Sequence, residues 1–417
     1  MHNFFTAHGI TDVKFIKELS EHLEGKSIVI TNRVSTYLFT KIKYPKIKIY
    51  RLRKKSIENN QIIPDSKFYK NLTEDEAKKI TNSYYEEIKK ILSNKNINFA
   101  LMTGEYRLIE QSAIQALKER NIKTVYFEAG PPGYIYLDKN GTNYNASFAQ
   151  GNDQNNLIIK SNDKENTEKK KGKRKNTTLE TALLTIETVY LHALYLIKKT
   201  QDQDEYYIAF KNRLKLKKIR ETKDLTIKKP VECEFVFFGQ VKNDINHTHF
   251  GIDDKELLRS IEDVLDKIDK KDKIAWKDHP LEISSGVIKH HKLLNKRVIV
   301  DNVRSTAELI ESCKGVITVN SNAGLEALLQ GKPTLVLGKS YLRQIYGCHE
   351  DIDEFITMIE SMNNETKSLI KEASQSFVSN NFLNIDYRNK DFTKVEYAYD
   401  WLILNDIIES LPQNQPK

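Results

Sequence analysis

The residues that most constrain the fold are 315–341, which read GVITVNSNAGLEALLQGKPTLVLGKSY. An apolar, β-rich run at 316–319 leads into a polar turn, and a helical pattern at 323–330 follows the turn. Gly331 and Pro333 then end the helix ahead of a second apolar run at 334–337. Because parallel strands need a crossover connection, this order predicts a strand–turn–helix–strand unit of a parallel sheet.

Ser321 lies where the helix of this unit begins, and it has the residue type of an N-cap. The free backbone N–H groups behind it, together with the helix dipole, suit an anionic group such as a phosphate. Glu326 lies about one turn further along the helix, within reach of a sugar hydroxyl. The alternative is that Ser321 only caps the helix, since any α/β sheet contains such units.

Length and composition predict a two-domain protein without a membrane span. The chain has 417 residues, of which 39% are hydrophobic, and this is enough material for two cores. No apolar run reaches the roughly 18 residues of a transmembrane helix. Residues 1–15 lack the pattern of a signal peptide. Cys233, Cys313 and Cys348 match neither a zinc nor a disulfide pattern, so we expect a cytoplasmic protein.

The net charge of +9 owes much to one run, 169–175, which reads KKKGKRK. A basic protein can contact nucleic acid, anionic lipid or anionic substrates. The run has no interleaved aromatic residue and is flanked by Asn, Asp and Glu, so it predicts a solvated loop within a mobile insertion at 152–176. We therefore expect no nucleic-acid partner.

Alternating strand and helix patterns predict an α/β fold with two Rossmann-like domains. The first domain is predicted at 1–225, with a helix-containing lead-in at 1–25. Its helical segment at 179–220 either packs on the domain or faces a membrane surface. The second domain is predicted at 226–385, and the last helix, within 386–417, is expected to cross back to the first domain.

Polar residues follow several of the predicted strands. In the second domain Asp244, His279 and Ser321 each come after a strand, and in the first domain Thr103 and Glu128 do. Because the carboxyl ends of parallel strands face the ligand crevice, we expect the three residues of the second domain to meet on one edge. Two alternatives stay open at this point: an Asx-turn cap for Asp244, and bonding of nearby N–H groups for Glu128.

The sequence contains no GxGxxG, GxxxxGK[ST], HExxH or GxSxG motif. The histidine pairs His290-His291 and His247-x-His249 have no acidic partners at ligand spacing. We therefore expect neither a metal ion nor a bound cofactor.

Several segments resemble the bacterial capsule-synthesis and Kdo-transferase group, whose members transfer 3-deoxy-D-manno-oct-2-ulosonic acid (Kdo) from CMP-Kdo. They are VNSNAGLEALLQGKPTLVLG at 319–338, the HP motif of Lys277-x-His279-Pro280, TGEYRLIEQSAIQALKERNIKTVYFEAGPPG at 103–133 with the following DKNGTN, and FFGQVKND at 237–244. The resemblance covers about 98–341 without the insertion. It implies a GT-B-like pair of Rossmann-type domains with the site in a central cleft.

The resemblance implies roles in donor binding. His279, helped by Lys277, would contact the CMP phosphate. Ser321 and Asn322 would hold the same phosphate, and Glu326 would bond the cytidine ribose. Fixed donors of this kind stabilise the charge that a leaving nucleotide gains, so no metal is required.

It also implies roles in the reaction itself. Asp244 would be the carboxylate at the anomeric carbon: a nucleophile if the enzyme retains configuration through an Asp-linked intermediate, or a base if it inverts. Glu128 would lie across the cleft as acceptor-side base or ligand. Gln240 would orient the donor sugar. Arg107 would contact a sugar carboxylate or be a surface residue.

The sequence therefore predicts a cytoplasmic Kdo transferase that acts in capsule, lipopolysaccharide, O-antigen or other surface-glycan assembly. Its expected partners are a CMP-sugar donor and a glycan or glycolipid acceptor, with peripheral inner-membrane association as an option. Two alternatives remain: a transferase that uses CMP-sialic acid or a UDP-sugar, and a non-catalytic glycan-binding subunit.

Overall fold

The structure is a computed structural model. It describes residues 1–53, 62–65, 72–151, 176–196, 232–241, 244–279 and 295–409. Five sequence predictions fall outside these ranges: the insertion at 152–176 except Asn176, the helical segment beyond 196, the domain boundary at 225, Pro280 of the HP motif, and the His290-His291 pair.

The first unit alternates strands with helices. Its strands are β1 (His2–Thr6), β2 (Lys26–Thr31), β3 (Lys48–Arg51), β4 (Ile97–Met102), β5 (Thr124–Ala129) and β6 (Ile135–Asp138). Its helices up to residue 196 are α1 (Ile10–Ser20), α2 (Val34–Lys43), α3 (Glu74–Leu92), α4 (Leu108–Lys118) and α5 (Thr178–Leu196). The sheet order is β3-β2-β1-β4-β5-β6, and the strands pair in parallel except for β6, which is antiparallel to β5.

β1 lies in the middle of this sheet, which corrects the prediction of a helix-containing lead-in at 1–25. Successive side chains of a strand point to opposite faces. Accordingly, Phe4 and Phe5 are each 0% exposed and belong to two different core clusters, one on each face of the sheet. The sequence pattern did not predict the strand because it has only five residues and begins with His2 and Asn3.

The second unit repeats this architecture. Its strands are β7 (Phe235–Phe238), β8 (Ile274–Lys277), β9 (Val298–Val300), β10 (Gly315–Thr318), β11 (Thr334–Val336) and β12 (Cys348–His349). Its helices are α6 (Ile245–Phe250), α7 (Asp254–Lys267), α8 (Thr306–Ser312), α9 (Asn322–Leu328), α10 (Ile352–Glu360) and α11 (Asn364–Asn381). The sheet order is β12-β11-β10-β7-β8-β9, and every neighbouring pair is parallel.

The two sheets share one topology. Counted from its own first strand, each sheet has the order 3-2-1-4-5-6, which is the Rossmann order. The only difference in direction is the sixth strand, which is antiparallel in the first unit and parallel in the second. The predicted α/β fold with two Rossmann-like domains is confirmed.

Local sequence signals set the helix ends. Ser305 and Glu308 form the predicted capping box at the start of α8. Ser321 caps α9, so the helix begins at residue 322. It covers 322–328, whereas the sequence predicted 323–330. Gly331 takes a φ of +74° just after the helix, a conformation that glycine adopts without the steric cost of a Cβ.

The chain passes between the units more than once. Residues 143–151, predicted in the first domain, group with the second unit. From Asn380 the chain rejoins the first unit, where α12 (Glu396–Leu404) packs beside α1. There the backbones of Ile135 and Leu383 exchange two hydrogen bonds of 3.0 and 2.8 Å. A Cβ on Gly130 would lie 2.6 Å from the ring of Phe382, so this return segment is closely packed.

Within the described ranges, none of the helices combines the length and the apolarity needed to cross a bilayer.

Candidate functional site

In a sheet of this topology ligands bind where the strand order reverses, outside the carboxyl ends of the first and fourth strands. In the second unit these strands are β7 and β10. The loop after β7 carries Gln240, and its side-chain amide donates to Oδ1 of Asn320 in the loop after β10. The predicted convergence of these two loops is therefore observed.

Asn320 joins more than two loops. Its side chain is only 8% exposed, and its Nδ2 donates to the carbonyl of Asn246 at 2.8 Å and to that of Lys339 at 3.2 Å. It therefore connects the loops after β7, β10 and β11 with helix α6. Asn320 was part of a predicted polar turn, but sequence reasoning did not select it as a site residue.

Ser321 and Asn322 are both engaged at the start of α9. The Oγ of Ser321 accepts from the backbone N–H of Ala323 at 3.3 Å, which confirms the N-cap. The Oδ1 of Asn322 accepts from the hydroxyl of Tyr341 at 2.8 Å. Glu326 lies half-buried one turn further along α9.

Asp244 is exposed at the start of α6, where it is the N-cap. Its Oδ1 accepts from the backbone N–H of Asn246 at 2.8 Å, as the Asx-cap alternative predicts. The sequence did not predict α6 itself. Because Asn246 also bonds to Asn320, the structure places Asp244, Gln240 and Ser321 around one buried amide.

Lys277 is the last residue of β8, the strand next to β7, and His279 follows the strand. The backbone N–H of Gly239, just after β7, donates to the carbonyl of Lys277 at 2.9 Å, so the ends of the two strands are packed together. The ammonium of Lys277 donates to the carbonyl of Arg304 at 2.5 Å, and burial lowers its pKa. His279 is half-buried.

Asp278, which sequence reasoning did not select, fixes the turn that carries His279. Its carboxylate is 3% exposed and accepts from the indole N–H of Trp276 at 2.9 Å. The side chain of Asn302 makes two hydrogen bonds to Asp278. Its Nδ2 donates to the carboxylate at 3.0 Å, and its Oδ1 accepts from the backbone N–H at 2.8 Å.

The first unit has its own switch point, between β1 and β4. The hydroxyls of Thr6, the last residue of β1, and Thr103, the first residue after β4, lie 3.0 Å apart. Beside them the Nε2 of His8 bonds to the carboxylate of Glu110 on α4. Sequence reasoning selected Thr103 but neither member of this pair.

Glu110 is fully buried and well supplied with partners. Its carboxylate accepts from the backbone N–H groups of Tyr106 and Arg107 at 2.9 and 2.8 Å. The guanidinium of Arg107 lies 3.3 Å away, so this predicted sugar-carboxylate ligand is paired within the unit. Burial alone would raise the pKa of Glu110, but the positive charges of His8 and Arg107 outweigh that effect and lower it.

Glu128 lies half-buried at the end of β5, and its Oε1 accepts from the N–H of Ala129 at 3.0 Å. Burial and the adjacent Asp12 carboxylate raise the pKa of Tyr387 well above 10. Glu128 adds to this shift and Arg107 opposes it. Both predicted residues of the first unit therefore lie within electrostatic reach of Tyr387.

No group of three or more His, Cys, Asp or Glu residues within the described part of the chain is arranged to hold a metal ion.

A family model described as capsule polysaccharide biosynthesis protein matches residues 98–382, more than half of the chain. A search of curated protein sequences gives no significant match.

Similar solved structures include a UDP-GlcNAc 2-epimerase from Methanocaldococcus jannaschii, 12% identical with a TM-score of 0.38, covering 96% of this chain and 100% of that one. The β-Kdo 2,7 transferase KpsC from Thermosulfurimonas dismutans is 13% identical with a TM-score of 0.37, covering 89% and 90%. The β-Kdo 2,4 transferase of the same organism is 15% identical with a TM-score of 0.36, covering 66% and 79%.

Proposed function

Because the chain belongs to the capsule polysaccharide biosynthesis family, we propose that it is a glycosyltransferase that moves Kdo from CMP-Kdo to a surface-polysaccharide or lipid-linked glycan. The product is a β-Kdo linkage formed with retention of configuration. The protein works in the cytoplasm, at the inner membrane when its acceptor is lipid-linked.

The observation that carries this proposal is the amide pair Gln240–Asn320 at the switch point of the second sheet. It ties together the loops that present Asp244 and Ser321. The buried amide of Asn320 is hydrogen-bonded through both its oxygen and its nitrogen, so it holds these loops in one arrangement, as a site for a nucleotide sugar requires.

The donor's phosphate binds beside Ser321, Asn322 and His279. The bond between the anomeric carbon and the phosphate oxygen breaks in the first step, and its electron pair leaves with CMP. The departing phosphate gains negative charge, which hydroxyl, amide and imidazole groups stabilise without rearranging. Glu326 bonds the ribose, and Lys277 adds positive charge from the neighbouring strand.

Asp244 supplies the nucleophile. Its Oδ1 is held by the cap to Asn246, so Oδ2 is the oxygen that bonds to the anomeric carbon. An acceptor hydroxyl then displaces the carboxylate from the opposite side, and Glu128 is our candidate for the base that takes the proton of that hydroxyl. Two displacements at one carbon give net retention. Gln240 orients the donor sugar, and Glu128 and Arg107 bind the acceptor.

The decisive variant is Asp244→Asn, because asparagine is also a good N-cap and keeps the hydrogen bond to Asn246. We expect turnover of CMP-Kdo to fall by about a thousandfold or more, since the nucleophile is lost. CMP affinity should stay within about threefold of the wild type. CMP release measures turnover, calorimetry measures affinity, and intact-mass analysis detects the sugar adduct on the wild type.

Asp253→Asn is a matched control. Asp253 is an exposed N-cap in the same unit, and its Oδ1 accepts from Lys255 and Glu256 at 2.8 Å each. It should keep full activity. The proposal fails if Asp244→Asn turns over at the wild-type rate, or if the wild type consumes only CMP-sialic acid or UDP-sugars. Glycan binding without consumption of any nucleotide sugar would instead indicate a non-catalytic subunit.

A further inference from the structure

Helix α5 of the first unit carries an apolar face that points away from the protein. Side chains that recur every three or four residues lie on one side of a helix. Along α5 this spacing connects five exposed apolar residues: Ala182, Ile186, Val189, Ala193 and Leu196. Ile186, Val189 and Leu196 are 49%, 64% and 68% exposed. A helix that borders on water has polar residues on its outer side, so this face differs from an ordinary surface helix.

The opposite face of α5 holds its two carboxylates. Glu180 and Glu187 are 1% and 2% exposed. Glu180 pairs with Lys14 and, at 3.1 Å, with Lys390. The two oxygens of Glu187 accept from the guanidinium of Arg33 at 2.5 Å each. Breaking a buried ion pair is costly, so these pairs fix the rotation of α5 and keep its apolar face on the outside.

The apolar face extends onto the neighbouring helix. Leu38 of α2 packs in the cluster that contains Leu179 and Leu184 of α5. Ile42 lies one turn after Leu38 on the same side of α2, and it is 56% exposed. The sequence left open whether the segment that begins at residue 179 packs on its domain or faces a membrane. In the structure α5 packs on α2 with one side and exposes the other.

The charges beside this face are cationic. Residues 33–51, which include α2 and β3, contain no Asp or Glu. Arg51, at the end of β3, donates to the hydroxyl of Tyr190 on α5 at 2.9 Å, so β3 is in contact with α5. The segment exposes four lysines: Lys41, Lys43, Lys46 and Lys48. An exposed apolar face beside exposed lysines is the pattern of a surface that binds anionic membranes.

A second copy of the chain fits this face less well than a membrane does. In a two-helix seam, charged residues beside the apolar line form ion pairs that select the partner. The corresponding residues of α5 are uncharged or titrate near neutral pH: Thr185, Tyr190 and His192. A twofold dimer would also bring the four lysines against the same surface of the partner subunit. Among the described residues, α2, β3 and α5 expose no carboxylate that could pair with them.

From these observations we propose that the outer face of α5, together with Ile42 and the four lysines, binds the surface of a membrane that contains anionic phospholipids. The apolar side chains enter the boundary between headgroups and acyl chains, and the ammonium groups lie among the phosphates. The inference rests on the proposed function only for the choice of the inner membrane, where a lipid-linked acceptor is met.

The test measures flotation of the full chain with lipid vesicles, without any nucleotide sugar. The vesicles contain phosphatidylcholine alone, or phosphatidylcholine with about one third phosphatidylglycerol. We expect the wild type to float with the anionic vesicles and to partition at least about tenfold less onto the neutral ones. Raising the salt from about 0.1 M to about 1 M should lower partitioning onto the anionic vesicles, because salt screens the lysines.

Two kinds of variant test the two parts of the surface. Val189→Glu and Ile186→Glu each place a carboxylate on the apolar line. Each should lower partitioning onto anionic vesicles by about tenfold or more, since an apolar side chain is lost and a negative charge faces the phosphates. The double variant Lys41→Gln, Lys43→Gln should cause a similar loss on anionic vesicles and leave partitioning onto neutral vesicles unchanged.

Matched controls lie in the second unit. Leu369→Glu changes a 46% exposed apolar residue of α11. The double variant Lys270→Gln, Lys271→Gln removes the same charge as the lysine variant of α2, at two exposed positions. Both controls should stay within about threefold of the wild type. Thermal melting shows that each variant is folded; if Val189→Glu is not, Ile186→Glu decides.

The outcomes separate this inference from the proposed function. If the wild type floats with neither kind of vesicle, or if the α5 variants stay within about threefold of it, the membrane surface is rejected and the transferase proposal stands. A wild-type dimer in light scattering that Val189→Glu converts to a monomer identifies a second copy as the occupant and also rejects it. A wild type that binds anionic vesicles through α5 but consumes no nucleotide sugar rejects the proposed function and supports this inference.

Discussion

In the second unit the loops after the first and fourth strands meet through two amide side chains, Gln240 and Asn320. In the first unit the corresponding loops meet through an imidazole and a buried carboxylate, His8 and Glu110. The strand order around the two pairs is the same. The residues placed on one topology therefore differ in the property that matters most for chemistry, which is whether they exchange protons.

Amides do not titrate, so the arrangement around Asn320 is independent of pH and suits the binding of a phosphate whose charge is fixed. A histidine changes its charge near neutral pH, and a carboxylate partner controls which nitrogen holds the proton. We propose that the second switch point binds the donor's phosphate, and we expect the buried charged pairs to make the first unit the more acid-sensitive of the two. The following predictions test this difference, from the largest expected effect to the smallest.

The largest effect is expected for Asn320→Ala. It removes three hydrogen bonds and leaves the partly buried partner groups of Gln240, Asn246 and Lys339 without Asn320. We expect a loss of about 3 to 4 kcal/mol in the free energy of unfolding, and CMP affinity lower by about tenfold or more. Urea denaturation and calorimetry measure the two quantities.

Asn82→Ala is the matched control in the first unit. Asn82 is 1% exposed and also makes three hydrogen bonds, two with Ile62 and one with Lys78. It should lose similar stability while CMP affinity is unchanged. Equal loss of CMP affinity in both variants would contradict a specific role for Asn320.

A smaller effect is expected from acid, and it concerns the charged contacts of the first unit. Burial alone would raise the pKa of Glu180, but hydrogen bonds from Lys14, Thr177 and Lys390 outweigh it and lower the pKa to about 2. Because the pKa is lowered, the ionised carboxylate stabilises the fold at pH values above the unfolded-state pKa. This stabilisation is lost as the pH falls from about 4.5 towards 2. This contribution is about 3 kcal/mol at neutral pH.

Glu180→Gln should therefore remove most of that acid dependence, as measured by urea denaturation at a series of pH values. Glu262→Gln, an exposed site on α7 of the second unit, should leave the dependence as it is. If Glu180→Gln unfolds along the same pH curve as the wild type, its ion pairs with Lys14 and Lys390 do not stabilise the first unit.

The smallest effect compares two serine caps of the second unit. Ser321→Ala and Ser305→Ala each remove an N-cap hydrogen bond and should each cost about 1 kcal/mol. CMP affinity should fall only in Ser321→Ala. Ser321 is the residue next to Asn320 in the proposed phosphate site, whereas Ser305 caps a different helix, α8. A similar fall in both variants would mean that the caps act through stability alone.

The sequence predicted the second unit more completely than the first, for a local reason. The strands around 315–341 are separated by clear turn and cap residues, so Ser321 and its helix could be placed from neighbouring letters. β1 has five residues with a polar start and was read as part of a helical lead-in. Residues that follow a parallel strand are candidates for a site, so His8 could not be selected while β1 was missing from the prediction. The adjacent apolar residues Phe4 and Phe5, followed by Thr6, were a signal for that strand.

The partners of the key residues could not be predicted, because they are distant in the chain. His8 and Glu110 are 102 residues apart, and Gln240 and Asn320 are 80 apart. Each pair forms because two strands that are not consecutive lie side by side in a sheet. Single-sequence patterns give the elements, whereas the pairing of loops depends on the strand order.

The return of the chain to the first unit has a consequence for how the protein is made. The core on one face of the first sheet includes residues from the return segment, such as Ile385, Phe392, Val395 and Leu402. A ribosome completes β1 to β6 long before it reaches these residues. One face of the nascent sheet therefore lacks part of its cover while the whole second unit is synthesised, and apolar surface that stays exposed in that interval favours aggregation.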